Sequence, residues 1–157
     1  MNSSFTLEKL DDVKIILKNY KEKIKKMLDI MLEIEELKTS KIFNEDISKI
    51  RLDISFCNDA TIHQINKEYR KKDCPTDVIT FSLFADDPCA MVYRKTADLG
   101  QIIVSVETAR KQASETLEKE ILTLICHGIL HLFGFDHLTK KDYDFVVSIQ
   151  NQVVDKI

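Results

Sequence analysis

The sequence predicts an α+β domain in which a small mixed sheet of about four strands is flanked by about five helices. Two patterns favour this class. Residues 50–57 alternate strictly between apolar and polar side chains, which is typical of a half-buried strand. Residues 120–132 are apolar on nearly every side, which is typical of a buried central helix. At 157 residues, the chain is long enough for one core, and we expect a single domain over 1–157.

The composition excludes some classes of protein. A formal net charge of -3 does not suit a protein that coats nucleic acid through its overall charge, so a polyanionic partner would need a local basic patch. The start of the chain is too acidic for a secretory leader, and no apolar run reaches the length of a membrane span. We therefore expect no membrane association and a cytoplasmic location. The four cysteines form no C-x-x-C pair and are interpreted as packing residues in a reducing compartment: Cys57, Cys74, Cys89 and Cys126.

The first elements are a strand and an amphipathic helix. Residues 13–17 can form a first strand, although the charged stretch that follows could absorb them into a longer helix. Residues 21–37 carry apolar side chains at helical spacing, namely Ile24, Met27, Leu28, Met31 and Ile34. The opposite face is lysine-rich and is interpreted as a solvated face, with a phosphate-facing surface as the alternative: Lys21, Lys23, Lys25 and Lys26.

The middle of the chain predicts a strand, a helix and a second strand. After the strand at 50–57, Asn58 and Asp59 can cap a helix over 60–69, on which His63 is interpreted as an ordinary helical residue. A compact basic cluster follows before the turn residues Asp73 and Pro75, and it consists of Arg70, Lys71 and Lys72. Residues 78–84 are β-branched and aromatic, which predicts an interior strand.

The last third predicts one more strand and three helices. Residues 85–98 are expected to be irregular, and a strand around 102–104 follows Gly100. Ser105 can cap a short helix, and the buried helix is expected to begin near Thr116 or Leu117. Thr139 and Asp142 form a candidate capping box for a final helix. Its core-facing residues are expected to be Tyr143, Val146, Val147, Val153 and Val154.

The buried helix has one polar line, formed by Thr123, His127 and His131. Residues four apart lie about 40° and about 6 Å from each other on a helix, so the two imidazoles project side by side. Gly134 can end the helix in a left-handed conformation and turn the chain so that His137 approaches. Three imidazoles could then hold one zinc ion with a fourth position open, as in a catalytic site.

The histidine pattern has two alternatives to a zinc site that cleaves RNA. A single histidine on an apolar helix is usually a hydrogen-bonded core residue, but three of the 4 histidines lie within eleven residues, which favours a metal. The spacing H-x-x-x-H-x-x-G-x-x-H is also that of metzincin proteases. Those enzymes carry Glu as the general base after the first histidine, where this chain has Gly128. This difference argues against a metzincin-like peptidase.

Two blocks of the sequence carry a resemblance to a known family. They are INKEYRKKDCPTDVITFS at 65–82 and HGILHLFGFDH at 127–137, and they resemble the YbeY family of metal-dependent endoribonucleases that act in rRNA maturation. The resemblance implies a zincin-like fold, zinc bound by His127, His131 and His137, and a functional arginine at Arg70. It also implies cleavage of single-stranded RNA, a role in 16S rRNA 3′-end processing on the small ribosomal subunit, and ribosome quality control. The chain departs from the family at Phe135, Ser82 and Gln101, and only Gln101, often Asp in the family, bears on the site.

These residues suggest a mechanism in which Arg70 holds two phosphate oxygens while Lys71 and Lys72 position the RNA backbone. The nucleophile is either water or the RNA 2′-hydroxyl, and the general base is unassigned. Asp136 could orient a ligand imidazole or could be a turn residue. A non-catalytic ribosome assembly factor with a structural zinc is the remaining alternative.

Overall fold

The computed structural model describes the backbone of residues 2–8 and 19–157, with side chains from residue 19 onward. Its mixed sheet has the order β1-β2-β5-β3, and β4 also pairs with β5. The parallel neighbours are β1, β2 and β5, whereas β3 and β4 run antiparallel to β5. The strands are β1 (Asn2–Glu8), β2 (Lys49–Cys57), β3 (Val78–Ser82), β4 (Val92–Tyr93) and β5 (Thr96–Ser105).

Five α-helices lie within the described residues, which confirms the predicted α+β class. They are α1 (Tyr20–Glu33), α2 (Asp59–Arg70), α3 (Val106–Gln112), α4 (Leu117–Leu132) and α5 (Lys140–Val154). Four helices have an N-terminal cap whose side chain accepts the backbone N–H of the residue three positions later, and all of these caps except Thr116 were predicted as caps. These caps are Asn58, Ser105, Thr116 and Thr139, with bond lengths of 2.9, 3.3, 3.1 and 3.1 Å.

The helices cover both faces of the sheet, and α4 lies at the centre of the larger core. On that face α4 packs so closely on β5 that a Cβ added at Gly128 would lie 3.0 Å from the Ile102 side chain. Helix α1 lies alongside, with the Met31 Sδ atom 4.0 Å from the Cys126 Sγ atom. Helix α2 lies on the opposite face, where the smaller apolar cluster contains Cys57, Ile62, Ile79 and Ile103. The sheet therefore presents β3 and β5 to the histidine-bearing helix.

Four predicted elements differ from the structure. The interior strand predicted over 78–84 is β3, which ends at Ser82 and lies at the edge of the sheet in the described part of the chain, paired only with β5. The strand predicted at 13–17 lies outside the described residues, and β1 is instead formed by residues 2–8, paired with β2. The helix predicted over 21–37 ends at Glu33, because Ile34 is extended and a 3₁₀ turn follows. Strand β5 begins at Thr96, so the irregular stretch predicted to reach 98 is shorter and Gly100 lies inside the strand. This strand is longer than predicted because it pairs with β2 and β4, and the local sequence does not specify this pairing.

Some side chains also lie elsewhere than predicted. Tyr143 is 53% exposed and does not face the core, because the buried face of α5 begins only at Val146. Cys74 and Cys89 are exposed and therefore are not packing residues, whereas Cys57 and Cys126 are buried. Burial raises the pKa of the Cys126 thiol to about 12, so it stays protonated.

The lysine face of α1 is a solvated face, as its main interpretation predicted. Lys23 pairs with Glu118 of α4, and Lys25 pairs with Asp29 one turn along the same helix. Two of the four ammonium groups are thus already paired with carboxylates. Within the part of the chain that the structure describes, we find no helix with the length and apolar character needed to cross a membrane.

Candidate metal centre

The end of α4 brings the third histidine back toward the first two. The helix ends at Leu132, and Gly134 follows with a φ of 99°. The Gly134 N–H donates to the His131 carbonyl at 2.9 Å, and the Phe135 N–H donates to the Leu130 carbonyl at 3.0 Å. This pair of bonds is a Schellman motif, which requires a positive φ at its turning residue and so favours glycine. The predicted role of Gly134 is confirmed.

The three histidines form one cluster. Their candidate ligand nitrogens all lie within 4.8 Å of one another, and the Nε2 atoms of His127 and His131 are 3.0 Å apart. The His137 ring centroid lies 5.3 Å from that of His127 and 4.9 Å from that of His131. A tetrahedral ion with bonds of about 2.0 to 2.1 Å would separate its ligand nitrogens by about 3.3 Å. The His127 and His131 nitrogens already have about this spacing, so the cluster fits a single ion after a small movement of His137 toward them.

Hydrogen bonds orient the two helical imidazoles. The Nδ1 atom of His127 lies 3.2 Å from the Oε1 atom of Gln150, and the Nδ1 atom of His131 lies 3.3 Å from the Oδ1 atom of Asp136. Both partner atoms are oxygens that can accept, and with the proton on each Nδ1 the two Nε2 lone pairs would be free for a metal. Asp136 thus lies where it can orient a ligand imidazole, which is one of the two roles predicted for it. Gln150 was not predicted, because it belongs to another helix and to no motif around the histidines.

Burial favours the neutral form that a metal ligand requires. It lowers the pKa of His127 below the usual value for histidine. It also lowers the pKa of His131, with a smaller contribution from repulsion by the neighbouring His127 and His137. Both rings are therefore neutral at pH 7 and can offer lone pairs without first losing a proton.

The histidines line a cleft of about 230 Å³ together with part of the basic cluster. The other lining residues are Arg70, Lys72, Thr76, Asp77, Val78 and Thr80. Arg70 is the last residue of α2, and Lys71 then adopts a left-handed conformation with a φ of 59°. The Lys71 ammonium turns back and donates to the Glu68 carbonyl at 2.9 Å, and Lys71 does not line the cleft. The fold therefore brings Arg70 and Lys72, but not Lys71, to the histidines.

The loop that follows α2 is held by buried and charged contacts. Asn66, which is 1% exposed, accepts the Lys72 N–H on its backbone carbonyl at 3.2 Å. Its side-chain amide donates to the Cys74 carbonyl at 2.8 Å. His63, interpreted from sequence as an ordinary residue, bonds to Asp73 at 2.7 Å, and this bond lowers the pKa of the Asp73 carboxyl. These contacts fix the direction in which the chain leaves α2 and passes the cleft.

Asp77 is a cleft residue that sequence reasoning missed. Its Oδ1 atom accepts the Val78 N–H at 2.7 Å, and its Oδ2 atom accepts from the Gln112 amide at 3.0 Å. The carboxylate therefore ties the start of β3 to α3 at the edge of the site. Its position directly before the strand at 78 was the available signal, since strand ends often carry site residues.

Two sequence positions can be set aside as direct participants. Gln101 donates to the Ser55 hydroxyl at 3.2 Å across β5 and β2 and does not line the cleft. Gly128 faces the Ile102 side chain, so the side chain of a glutamate at this position would be directed against the sheet and not toward solvent. The position that supplies the general base in a metzincin peptidase is therefore closed by helix–sheet packing.

Comparisons with known proteins agree with this geometry. A family model described as Endoribonuclease YbeY matches residues 6–157. The chain belongs to the YbeY endoribonuclease family. This confirms the family predicted from residues 65–82 and 127–137.

Relatives with the same family name cover different shares of the chain. An Endoribonuclease YbeY of Bacillus pumilus is 32% identical over 95% of this chain and 92% of its own length. One from Prochlorococcus marinus is 39% identical over 69% of this chain and 59% of its own length, so that match spans less than two thirds of the relative. The solution structure of a Thermotoga maritima protein covers 98% of this chain and 90% of its own, with 28% identity and a TM-score of 0.53.

Proposed function

We propose that this chain, acting as one domain over 1–157, is a zinc-dependent endoribonuclease specific for single-stranded RNA. Its proposed role is maturation of the 3′ end of 16S rRNA on the small ribosomal subunit, together with ribosome quality control in the cytoplasm. The observation that carries the proposal is the cleft that Arg70 and Lys72 line together with the three histidines. A cationic group beside a metal site suits a phosphodiester, which needs its negative charge stabilised during cleavage.

The histidine cluster supports zinc as the ion. His127, His131 and His137 would hold it, since three neutral imidazoles are a preferred ligand set for zinc and leave one position open. When bound, the ion supplies a Lewis acid that polarises phosphoryl oxygens and acidifies water. The protein's own contribution is orientation: Gln150 and Asp136 hold two of the rings with Nε2 toward the centre.

Arg70, which lines the same cleft, is proposed as the catalytic residue. Its guanidinium can donate to two phosphate oxygens at once, so it can stabilise the negative charge that develops during cleavage. Lys72 lines the same cleft and would hold the adjacent backbone without reading sequence. Lys71 would join only after its ammonium leaves the Glu68 carbonyl, so we expect a smaller contribution from it.

The cleft has a volume of about 230 Å³, which is enough for one phosphodiester group. A single strand can bend its backbone into the cleft and keep its bases outside. We therefore expect cleavage of loops and free 3′ ends in preference to helical RNA.

The test is cleavage of a labelled single-stranded RNA and of the matching duplex, with zinc and with a chelator. The wild type should cut only the single strand and only with zinc, whereas Arg70→Ala and His131→Ala should be strongly impaired. Equal trace activity in all three preparations would point to contamination and to a non-catalytic assembly factor. A substrate with one 2′-deoxy nucleotide at the cut position identifies the nucleophile, because only a water-dependent reaction survives that change.

A further inference from the structure

Tyr143 lies beside the metal centre with much of its ring open to solvent. Its side chain is 53% exposed, and its ring centroid is 6.3 Å from that of His137, with the two planes at 80°. Leu138, directly after His137, is 87% exposed. Among the side chains that the structure describes, the exposed large apolar residues are Tyr69, Leu83, Tyr93, Leu138 and Tyr143. Two of these five flank the same candidate metal ligand.

The edge-to-face contact with His137 gives the Tyr143 ring a defined orientation. Tyr143 does not line the cleft, but its ring contacts that of His137, an exposed residue that does. An aromatic face at such a position is a surface on which an unpaired nucleobase can stack. A nucleotide whose phosphate enters the cleft would have its own or its neighbour's base at about this distance from His137.

The charges around Tyr143 favour a base over a phosphate. Residues 136–144 carry three aspartates and two lysines, whereas residues 70–72 carry three cations in succession. The backbone of the RNA is therefore attracted to the side of the cleft that holds Arg70 and Lys72, and the segment around Tyr143 offers phosphates no comparable attraction. An uncharged base fits this segment better.

We propose that Tyr143, whose ring contacts that of the candidate metal ligand His137, forms a stacking subsite for one nucleobase adjacent to the scissile phosphate of single-stranded RNA. This inference rests on the proposed function and adds a physical reason for single-strand specificity. A paired base is already stacked on its neighbours and cannot reach the ring, whereas an unpaired base can. Stacking is tolerant of sequence, because every base has a π-face, so the subsite selects unpaired RNA and not a particular sequence.

Two other exposed tyrosines provide contrast. Tyr69 packs edge-on against Phe81 at 5.3 Å between ring centroids, next to the smaller core on the other face of the sheet. Tyr93 pairs with Thr96 on β5, whereas the cleft residue Thr80 pairs with Ile102, six residues further along that strand. At about 3.3 Å per residue, Tyr93 is about 20 Å from the cleft. It is the matched control because it is 72% exposed and remote from the metal centre.

The experiment compares Tyr143→Ala, Tyr143→Phe and Tyr93→Ala on a single-stranded RNA with one dominant cut. We expect Tyr143→Ala to lower kcat/KM about 10-fold, chiefly through KM, because stacking on one aromatic ring is lost. Tyr143→Phe keeps the aromatic face, and Tyr93→Ala leaves the site intact, so both should stay within about twofold of wild type. Zinc content and Tm should be the same in all variants. An unchanged KM in Tyr143→Ala would overturn the proposal.

A second arm removes the base instead of the ring. Abasic nucleotides are placed one at a time on either side of the cut. At one of these positions, the abasic nucleotide should lower the kcat/KM of the wild type about 10-fold but should not lower that of Tyr143→Ala further, because both changes delete the same contact. Independent, additive losses would refute stacking on Tyr143.

Binding measured separately distinguishes failure of this inference from failure of the proposed function. Anisotropy of fluorescein-labelled RNA should show weaker binding by Tyr143→Ala than by Tyr143→Phe. If the wild type binds RNA with this dependence but does not cut it, the endoribonuclease proposal fails and the stacking subsite stands. If it cuts RNA but Tyr143→Ala binds and cuts as wild type does, the stacking subsite alone is rejected.

Discussion

The two sides of the cleft are built in different ways. The histidine side consists of His127, His131 and His137, and two of these rings are half-buried and hydrogen-bonded to Gln150 and Asp136. The basic side consists of Arg70 and Lys72, which are exposed at the exit of α2. The first side is already arranged for an ion, so little ordering cost remains when one binds. The second side stays solvated until a phosphate replaces its water.

This difference leads to separable consequences for mutation. Changes on the histidine side should alter metal binding, and activity only through the metal. Changes on the basic side should alter catalysis while metal binding stays constant. The following predictions test that separation.

The largest effect is expected at Arg70. Arg70→Ala should lower kcat/KM about 10²- to 10³-fold, the usual loss when one donor to developing charge is removed. Arg70→Lys should recover only part of this, because an ammonium cannot hold two phosphate oxygens at once. Zinc content, measured by elemental analysis, should equal that of the wild type. A loss of zinc in Arg70→Ala would show that the two groups of cleft residues do not act separately, and full activity would show that Arg70 takes no part in catalysis. The matched control is a substitution of Arg110, which is exposed on α3.

Gln150→Leu should raise the zinc Kd about 10- to 100-fold, because the acceptor that fixes the His127 ring is lost. Gln150→Glu keeps an acceptor and should bind zinc at least as tightly as the wild type. Competition with a chromophoric chelator gives the Kd directly. Asn151→Leu, one residue further along α5 and exposed, is the control. Equal zinc Kd values for Gln150→Leu and wild type would show that this hydrogen bond does not orient the ligand.

Gly134→Ala should lower the free energy of unfolding by about 1–2 kcal/mol, because a side chain is strained at a positive φ. Space is not the cause, since an added Cβ would have the Ala85 Cβ as its nearest neighbour at 3.9 Å. Urea unfolding with chelator present isolates the backbone effect from metal binding. A stability equal to wild type would mean that the turn before His137 is not conformationally demanding.

The smallest effect concerns the far end of α2, at Asp59. The pKa of this carboxyl is lowered from 3.8 to about 2, chiefly by a hydrogen bond from Lys111 and then by hydrogen bonds from Ser105 and Thr108. A depressed folded pKa stabilises the protein above pH 3.8, and that stability is lost as the pH falls toward 2. Because Lys111 is largely exposed, we expect Asp59→Asn to cost only about 1 kcal/mol at pH 7. The difference in the free energy of unfolding between wild type and Asp59→Asn, measured by urea unfolding from pH 7 to pH 2, should shrink below pH 4. A difference that stays constant with pH would contradict this prediction.

Local patterns were sufficient for the histidine-bearing region. The alternation in 50–57, the caps at Ser105 and Thr139 and the start of α4 near Thr116 involve only residues near in sequence, and the structure has them as predicted. The clustering of the histidines could also be predicted, because helical spacing and one glycine turn determine it. The zinc identity and the catalytic role of Arg70 stay predictions.

The missed features depend on contacts between distant segments. Strand β1 and the early start of β5 are defined by pairing with β2, which no local pattern specifies. Gln150 reaches His127 from a separate helix, and Asp77 reaches the cleft from the start of β3. Tyr143 has the spacing of a core residue but lies before the point where α5 meets the core. Tertiary packing, not propensity, decides each of these positions.

Metal stoichiometry decides whether three imidazoles hold one ion. Wild type and His137→Ala are loaded with zinc, desalted and measured by elemental analysis. We expect one zinc per wild-type chain and far less than one in His137→Ala, because two ligands retain zinc weakly. Equal zinc content in the two proteins, or none in the wild type, would contradict this expectation.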